Sequence, residues 1–538
     1  MLGLMQRRGL LISSIVVHAA RHHGNAEIVS RRDDGSMDRT NYAALERRCR
    51  RLATVLRELG VAMGDRVATL AMNSDRHLEL YYAIPGIGAV CNTVNPRLAP
   101  EDIAYILQHA EDRVLFVDPG FLPLVAAIAP KLAGLVRVVV ALCPPGQMPD
   151  VALPPGMTLL CYETLMAAAG EILDWPEFDE NSAAGLCYTS GTTGRPKGVL
   201  YTHRSNLLHA MAENAADVMG LRAVDRLLPA VAMFHANAWG LPYSAPMAGT
   251  ALILPGRQLD PDTLIGMLNA ERVTVSAGVP TIWLGVNNRL RETGGSLPTL
   301  ARILSGGSAF PRALMAEYGA RGVHIHHAWG MTESSPLATW NTATPKTLTM
   351  DAEARLDQQA TQGRTVFGAD VAALDDAGAE VPWDGKTQGN LVFRGHWVAS
   401  AYFRQPETSV GDTGWFPTGD VGVIDPEGFV VLTDRTKDLI KSGGEWISSI
   451  ALENIAIAHP AVAEAAAIAI PDAKWAERPL LIIVPRAGET IDPAEMREFY
   501  RDKVPSWSVP DRVVIAEELP HGATGKVLKT ELRKRYAG

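Results

Sequence analysis

The densest chemistry in the chain lies between Tyr188 and Gly198, in the stretch YTSGTTGRPKG. Gly191 and Gly194 permit backbone turns that a side chain would block, so that N–H groups converge on an anion. Ser190, Thr192 and Thr193 add hydroxyl donors, Thr189 precedes them, and Lys197 adds a positive charge. Such a loop suits a polyphosphate. It departs from the common P-loop, G-x-x-x-x-G-K-[ST]. Counted from Gly191, the second glycine falls on Pro196, and Gly198 stands where Ser or Thr should follow Lys197. The ordinary kinase or ATPase reading fails on that spacing.

Four further stretches carry groups able to do chemistry. His235 and Trp239 share an apolar, aromatic turn, MFHANAWGLP, where packing alone accounts for most histidines. Gly306, Gly307 and Ser308 end a strand-like run in a turn that lets a flat ring approach the backbone. Glu333 follows Ala328-Trp329-Gly330-Met331-Thr332, in the crevice position where open α/β sheets bind ligands. Lys526 closes PHGATGK, and turn residues put it on an exposed loop. A single exposed lysine is ordinarily a solvated surface charge.

The elements that position these groups alternate. Apolar runs at 184–188 and 199–201 read as strands on either side of the first loop. Between 38 and 118 the pattern is helix (41–59), strand (65–71), helix (77–90), loop (92–97), helix (101–109) and strand (114–117), a βαβ rhythm that implies a parallel sheet covered on both faces. From 363 to 434, short strands separated by turns predict an antiparallel sheet or small barrel. The last unit reads helix (449–458), strand (464–470), strand (479–484), helix (493–501) and strand (513–515). A helix near residues 9–23 should pack on the main body.

At 538 residues the chain divides into more than one compact unit. A net charge of −9 argues against general nucleic-acid binding. The odd count of five cysteines, without C-x-x-C spacing, reads as reduced thiols in a cytoplasmic protein. No apolar run has the length of a membrane span, and no histidine pattern spells a metal site.

Together these stretches resemble, over nearly the whole chain, the adenylate-forming enzymes: acyl-CoA synthetases, luciferases and peptide-synthetase adenylation domains. YTSGTTGRPKG matches their phosphate loop, and WGMTE their YGxTE. TGD at 418–420 and DRTKDLIKSGGEW at 434–446 match two further motifs. The resemblance implies an α/β fold: a large N-terminal domain (1–433) of two doubly wound sheets plus a small β-barrel, a hinge (434–441), and a small mobile α+β C-terminal domain (442–538). It implies ATP, Mg²⁺ and CoA as reactants or cofactors, a carboxylic-acid substrate, and a homodimer.

Roles follow the same resemblance. Lys526 lies between carboxylate and α-phosphate, and Glu333 binds Mg²⁺. Thr332 holds the α-phosphate, Trp329 stacks on adenine in place of tyrosine, and Gly306, Gly307 and Ser308 flank adenine and the acyl pocket. Asp420 and Arg435 take the ribose, and Lys437 is the pivot. Lys441, Gly443, Gly444 and Trp446 serve the pantetheine side. His235 lies beside the substrate carboxylate, Trp239 gates the acyl tunnel, and Gly330 and Pro336 complete the pocket. Asn390 stands where the family usually has Glu. MFHANAWGLPY and NPRL point to fatty acyl-CoA or methylthiopropionate-CoA ligases. An aryl-acid ligase and a degenerate nucleotide-binding regulator are the alternatives.

Overall fold

The computed structural model of the chain describes residues 1, 3–172, 174–189, 195–405, 407–442, 445–522 and 526–536. One sheet has seven strands in the order Thr158–Cys161, Val138–Ala141, Val114–Val117, Arg66–Leu70, Val90–Thr93, Ala183–Thr189, Lys197–Thr202. Its neighbours are parallel except the last pair. The other has nine, in the order Arg364–Thr365, Leu337–Trp340, His324–Gly330, Arg302–Ser305, Val275–Ala277, Arg226–Pro229, Ala251–Leu254, Glu27–Arg31, Met37–Asn41. It is parallel from His324–Gly330 to Glu27–Arg31 and antiparallel at both margins.

The helices between the strands start where side chains accept from free N–H groups. Asn41 caps Tyr42–Glu58, Ser74 caps Asp75–Gly86, and Thr202 forms a capping box with Ser205 at His203–Glu213. The largest core draws on strands of both sheets, among them Val67, Phe116, Leu227 and Leu304, and on these helices. The N-terminal helix, Ser13–His22, joins it through Ile15, Val16 and Ala19, as expected.

Two expectations change. The apolar run 77–90 splits: the helix ends at Gly86, and Val90–Thr93 is a fully buried strand rather than a helix end and loop. A continuous apolar run has no periodicity to divide it. The strands Ala369–Leu374, Gly389–Gly395, Phe416–Ile424 and Val430–Arg435 form a four-stranded antiparallel sheet with two free ends, and no closed barrel occurs among the described residues. Its apolar face, with Phe393 and Phe416, packs on Trp329 and Ala338 of the nine-stranded sheet. The apolar face is thus buried against the larger sheet, so the strands need not close on themselves to form a core.

The remaining unit packs Ser449–Ile457, Pro493–Phe499 and Lys529–Tyr536 on a five-stranded sheet. Its contacts with the segment before it are polar and buried. Ser449 N and Oγ each donate to Asp434 Oδ2 at 2.6 Å. Arg533 pairs with Asp438 at 2.5 Å. Among the described residues no helix is long and apolar enough to cross a membrane.

Candidate active site

The site is built where strands of both large sheets end. Thr189 ends one strand and pairs with Lys197 at the start of the next, so rigid antiparallel strands clamp the loop between them. Ser190, Gly191, Thr192, Thr193 and Gly194 themselves lie outside the described residues, as do Gly443 and Gly444. Lys197 Nζ sits 4.7 Å over the ring of Tyr402. The hydroxyl of Tyr402 donates to Glu333 Oε1 at 2.7 Å. Tyr402 therefore links the loop lysine to the carboxylate of the WGMTE stretch. Sequence reading missed it because 69 residues separate the partners.

Glu333 lies in the short turn Thr332–Ser334 after the His324–Gly330 strand and is buried. Burial raises its pKa, and the Tyr402 hydrogen bond acts the other way. Ala399 N donates to its backbone carbonyl at 2.8 Å, and Tyr201 donates to that of Thr332 at 2.8 Å. The neighbouring Gly330 has no room for a side chain: a Cβ there would lie 1.6 Å from the carbonyl oxygen of Pro336. Ala328 and Met331 flank it on the same strand and turn.

At the next strand end, Gly307 takes φ +86°, a left-handed conformation that favours glycine. A Cβ on it would lie 3.7 Å from Cε of Lys526. Lys526 thus reaches across from the C-terminal unit to the Gly306-Gly307-Ser308 turn. It is partly buried, which corrects the exposed loop expected from turn residues. Local sequence reports the turn but not what docks over it. Burial, and then Arg435, lower the lysine's pKa to about 8, and Lys437 adds to this while Asp420 opposes it. His235 faces the same space. Burial and the Lys526 charge push its pKa down to about 4, so its imidazole is neutral at pH 7.

His235 opens an unusual turn. Ala236, Asn237, Ala238 and Trp239 all have φ between +43° and +59°, followed by Gly240 at +79°. A left-handed turn of non-glycine residues costs roughly 1–2 kcal/mol per residue, so tertiary contacts must hold it. Tyr81 donates to the Met233 carbonyl, and the strand residue Cys187 approaches that of Phe234. The turn buries Trp239 beside the largest core.

Asp420, on the Phe416–Ile424 strand, meets Arg435 Nε at 3.2 Å through Oδ1 and accepts from Trp329 Nε1 at 2.9 Å through Oδ2. Lys437, one turn beyond Arg435, has its pKa lowered, chiefly by burial. Lys441 and Trp446 engage each other on the next hairpin, with Lys441 Nζ 4.6 Å over the indole. Lys474 and the exposed Trp475 repeat that arrangement on the adjoining turn, which sequence reading did not single out. Asn390 is partly buried at a bulge of its strand and touches Asp376 at 3.4 Å. Lys526, His235, Gly307, Asp420, Arg435 and Lys437 are thereby brought together.

Comparison with known proteins follows this geometry. Residues 16–403 match the profile described as AMP-binding enzyme, and residues 451–526 match the AMP-binding enzyme C-terminal domain. A 3-methylmercaptopropionyl-CoA ligase of Ruegeria pomeroyi is 48% identical over 537 residues, covering 100% of this chain and 99% of that protein. A medium-chain-fatty-acid–CoA ligase of Ectopseudomonas oleovorans is 45% identical over 537 residues, covering 100% and 98%. The crystal structure of an anthranilate CoA ligase in complex with anthranoyl-AMP superposes with a TM-score of 0.86 over 99% of this chain and 98% of that one, at 24% identity.

Proposed function

The chain belongs to the AMP-binding enzyme family, and on that premise we propose that it ligates a medium- or long-chain fatty acid, or a short alkyl thioether acid, to CoA through an acyl-adenylate, with AMP and pyrophosphate as products. The observation that carries the reading is Lys526 directed at the Gly307 turn beside His235. A carboxylate is already a nucleophile, so attack on the α-phosphorus needs no general base; it needs positioning and charge neutralisation. Lys526 supplies a cation between the two anions. His235, neutral, offers an N–H to the acid without adding charge. Lys197 and the 189–194 loop bind the β- and γ-phosphates, Thr332 the α-phosphate, and Asp420 and Arg435 the ribose.

Glu333 suits Mg²⁺. One oxygen is taken by Tyr402, and no cluster of three or more ligating side chains exists among the described residues. A hard cation of this kind is held by one or two carboxylates together with phosphates and water. When bound, the ion neutralises phosphate charge. The second half-reaction brings the CoA thiol to the acyl carbon on the side that Lys526 occupies. One site does not hold both, so the small unit swings about Lys437, and the hairpin carrying Lys441 and Trp446 then faces CoA. A cytoplasmic homodimer accompanies this reading by family resemblance.

Between substrates, the relatives named above support 3-methylthiopropionate and medium-chain fatty acids, and in this reading Trp239 gates the acyl tunnel. The test is pyrophosphate release with ATP and Mg²⁺ across acids from acetate to palmitate, with 3-methylthiopropionate and benzoate included, in the presence and absence of CoA. A CoA-dependent optimum at 3-methylthiopropionate or a medium chain is expected. An optimum at benzoate would move the reading to aryl acids, no turnover to a degenerate regulator, and ADP as product would overturn adenylation.

A further inference from the structure

The carboxylate expected to hold ribose is itself held by an indole. Trp329 lies on the His324–Gly330 strand of the nine-stranded sheet, and Asp420 on the Phe416–Ile424 strand of the four-stranded one. The two sheets pack so that Trp329 Nε1 donates to Asp420 Oδ2 at 2.9 Å. Both groups are nearly enclosed, with 6% exposure for Trp329 and 7% for Asp420. The indole ring stands edge-on to Phe393, with centroids 6.0 Å apart and planes at 64°, inside the cluster that also contains Ala338 and Phe416. We propose that Trp329 is a positioning residue for the ribose of ATP, acting through the hydrogen bond from its indole N–H to the carboxylate of Asp420. The proposal rests on the nucleotide site assigned above and deepens it.

The hydrogen-bond inventory of Asp420 supports this. Its backbone N–H donates to Thr418 Oγ1 at 3.0 Å, which orients the main chain. Arg435 engages Oδ1 and Trp329 engages Oδ2. An ionised carboxylate has about four acceptor sites, so each oxygen retains one for a ribose hydroxyl. The two donors differ in kind. Arg435 brings charge on a half-exposed side chain and lies in the segment assigned to the hinge. The indole is neutral, packed, and part of the sheet that carries Glu333. It therefore keeps Asp420 oriented when the hinge segment moves. A phenylalanine ring has no donor and leaves Oδ2 without that bond, whereas a tyrosine keeps an O–H donor in another position.

Calorimetric titration of the full chain with ATP, 2′-deoxyATP and 3′-deoxyATP tests the assignment. The proteins are wild type, Trp329→Phe, Trp329→Tyr, Asp420→Asn and the Trp329→Phe/Asp420→Asn pair, each with its melting temperature. Wild type should prefer ATP over at least one deoxy analogue by roughly ten-fold, the size of a hydrogen bond to a charged group. Trp329→Phe should lose most of that preference by weakening ATP alone, and the double variant should lose no more than Asp420→Asn. Equal weakening of ATP and both deoxy analogues would assign the ring to the base or to packing and overturn the proposal. So would an unchanged preference, or unfolding of both ring variants. Wild type that binds ATP and the deoxy analogues alike would overturn this inference and leave the ligase reading standing. Wild type that binds no ATP would overturn the ligase reading itself.

Discussion

In the proposed reaction the chemistry turns on Lys526, and its surroundings make its charge conditional on pH. Burial and the neighbouring Arg435 bring its pKa down to about 8. Its ammonium is intact below that value and lost above it. The rate constant kcat/KM for adenylate formation, which reports the free enzyme, should therefore fall as pH rises through about 8. Lys526→Arg, whose guanidinium stays charged, should move that limb upward; an unchanged limb would assign it to another group. Lys526→Ala should slow adenylate formation by roughly 10²–10³-fold, the usual cost of one electrostatic stabiliser. Thioester formation from preformed acyl-adenylate should stay near wild type, and equal loss in both halves would end the division of roles. Tyr402 supports a second charged group. Tyr402→Phe keeps the ring beneath Lys197 and removes only the hydroxyl on Glu333. It should raise the Mg²⁺ concentration for half-maximal activity by roughly 10-fold, as loss of a partner to a metal-binding side chain does. The motif letters pointed to Lys526, Glu333 and Asp420. Tyr402 and the Trp329–Asp420 bond were not legible, because each depends on two strands or turns distant in sequence meeting at one edge.

At the scale of elements, the strand ends have to be bare where substrates approach, and two glycines separate the reasons. At Gly330 the neighbouring carbonyl of Pro336 would lie 1.6 Å from a Cβ, so the backbone must move. At Gly307 the nearest atoms stand 3.4 and 3.7 Å away, and only the left-handed φ resists a side chain. Gly330→Ala should cost several kcal/mol and lower the melting temperature sharply, whereas Gly307→Ala should cost only about 1–2 kcal/mol. Equal melting temperatures would mean that the Gly330 turn relaxes freely. The parallel sheets were legible, because buried β-branched runs alternate with capped amphipathic helices such as Tyr42–Glu58. The division at Gly86 and the left-handed turn before Gly240 were not. Val90–Thr93 is as apolar as the helix before it, and Ala236–Trp239 contains no residue that announces a positive φ, apart from Asn237.

At the scale of the whole molecule, the small unit is fastened to the 434–441 segment itself, through Asp434 and Asp438. Asp434, next to last in the Val430–Arg435 strand, accepts two hydrogen bonds from Ser449, the first residue of a helix in the small unit. Arg533 on the last helix holds Asp438, and the same helix carries Lys529 against Glu453. Lys526 precedes that helix by three residues, so its approach to Gly307 depends on this orientation. In the proposed reaction, removing Lys526 from the acyl carbon requires rotation within the intervening segment, where Lys437 lies between Arg435 and Asp438. Proline fixes φ near −65° and removes the rotation. Lys437→Pro should therefore leave adenylate formation close to wild type while slowing CoA-dependent thioester formation, on the order of ten-fold or more if domain movement becomes limiting. Single-turnover measurement of the two halves, from ATP plus acid and from purified acyl-adenylate plus CoA, distinguishes them. Equal slowing of both would place the pivot outside Lys437. A loss confined to the first half would mean that the arrangement seen here is the one that accepts CoA.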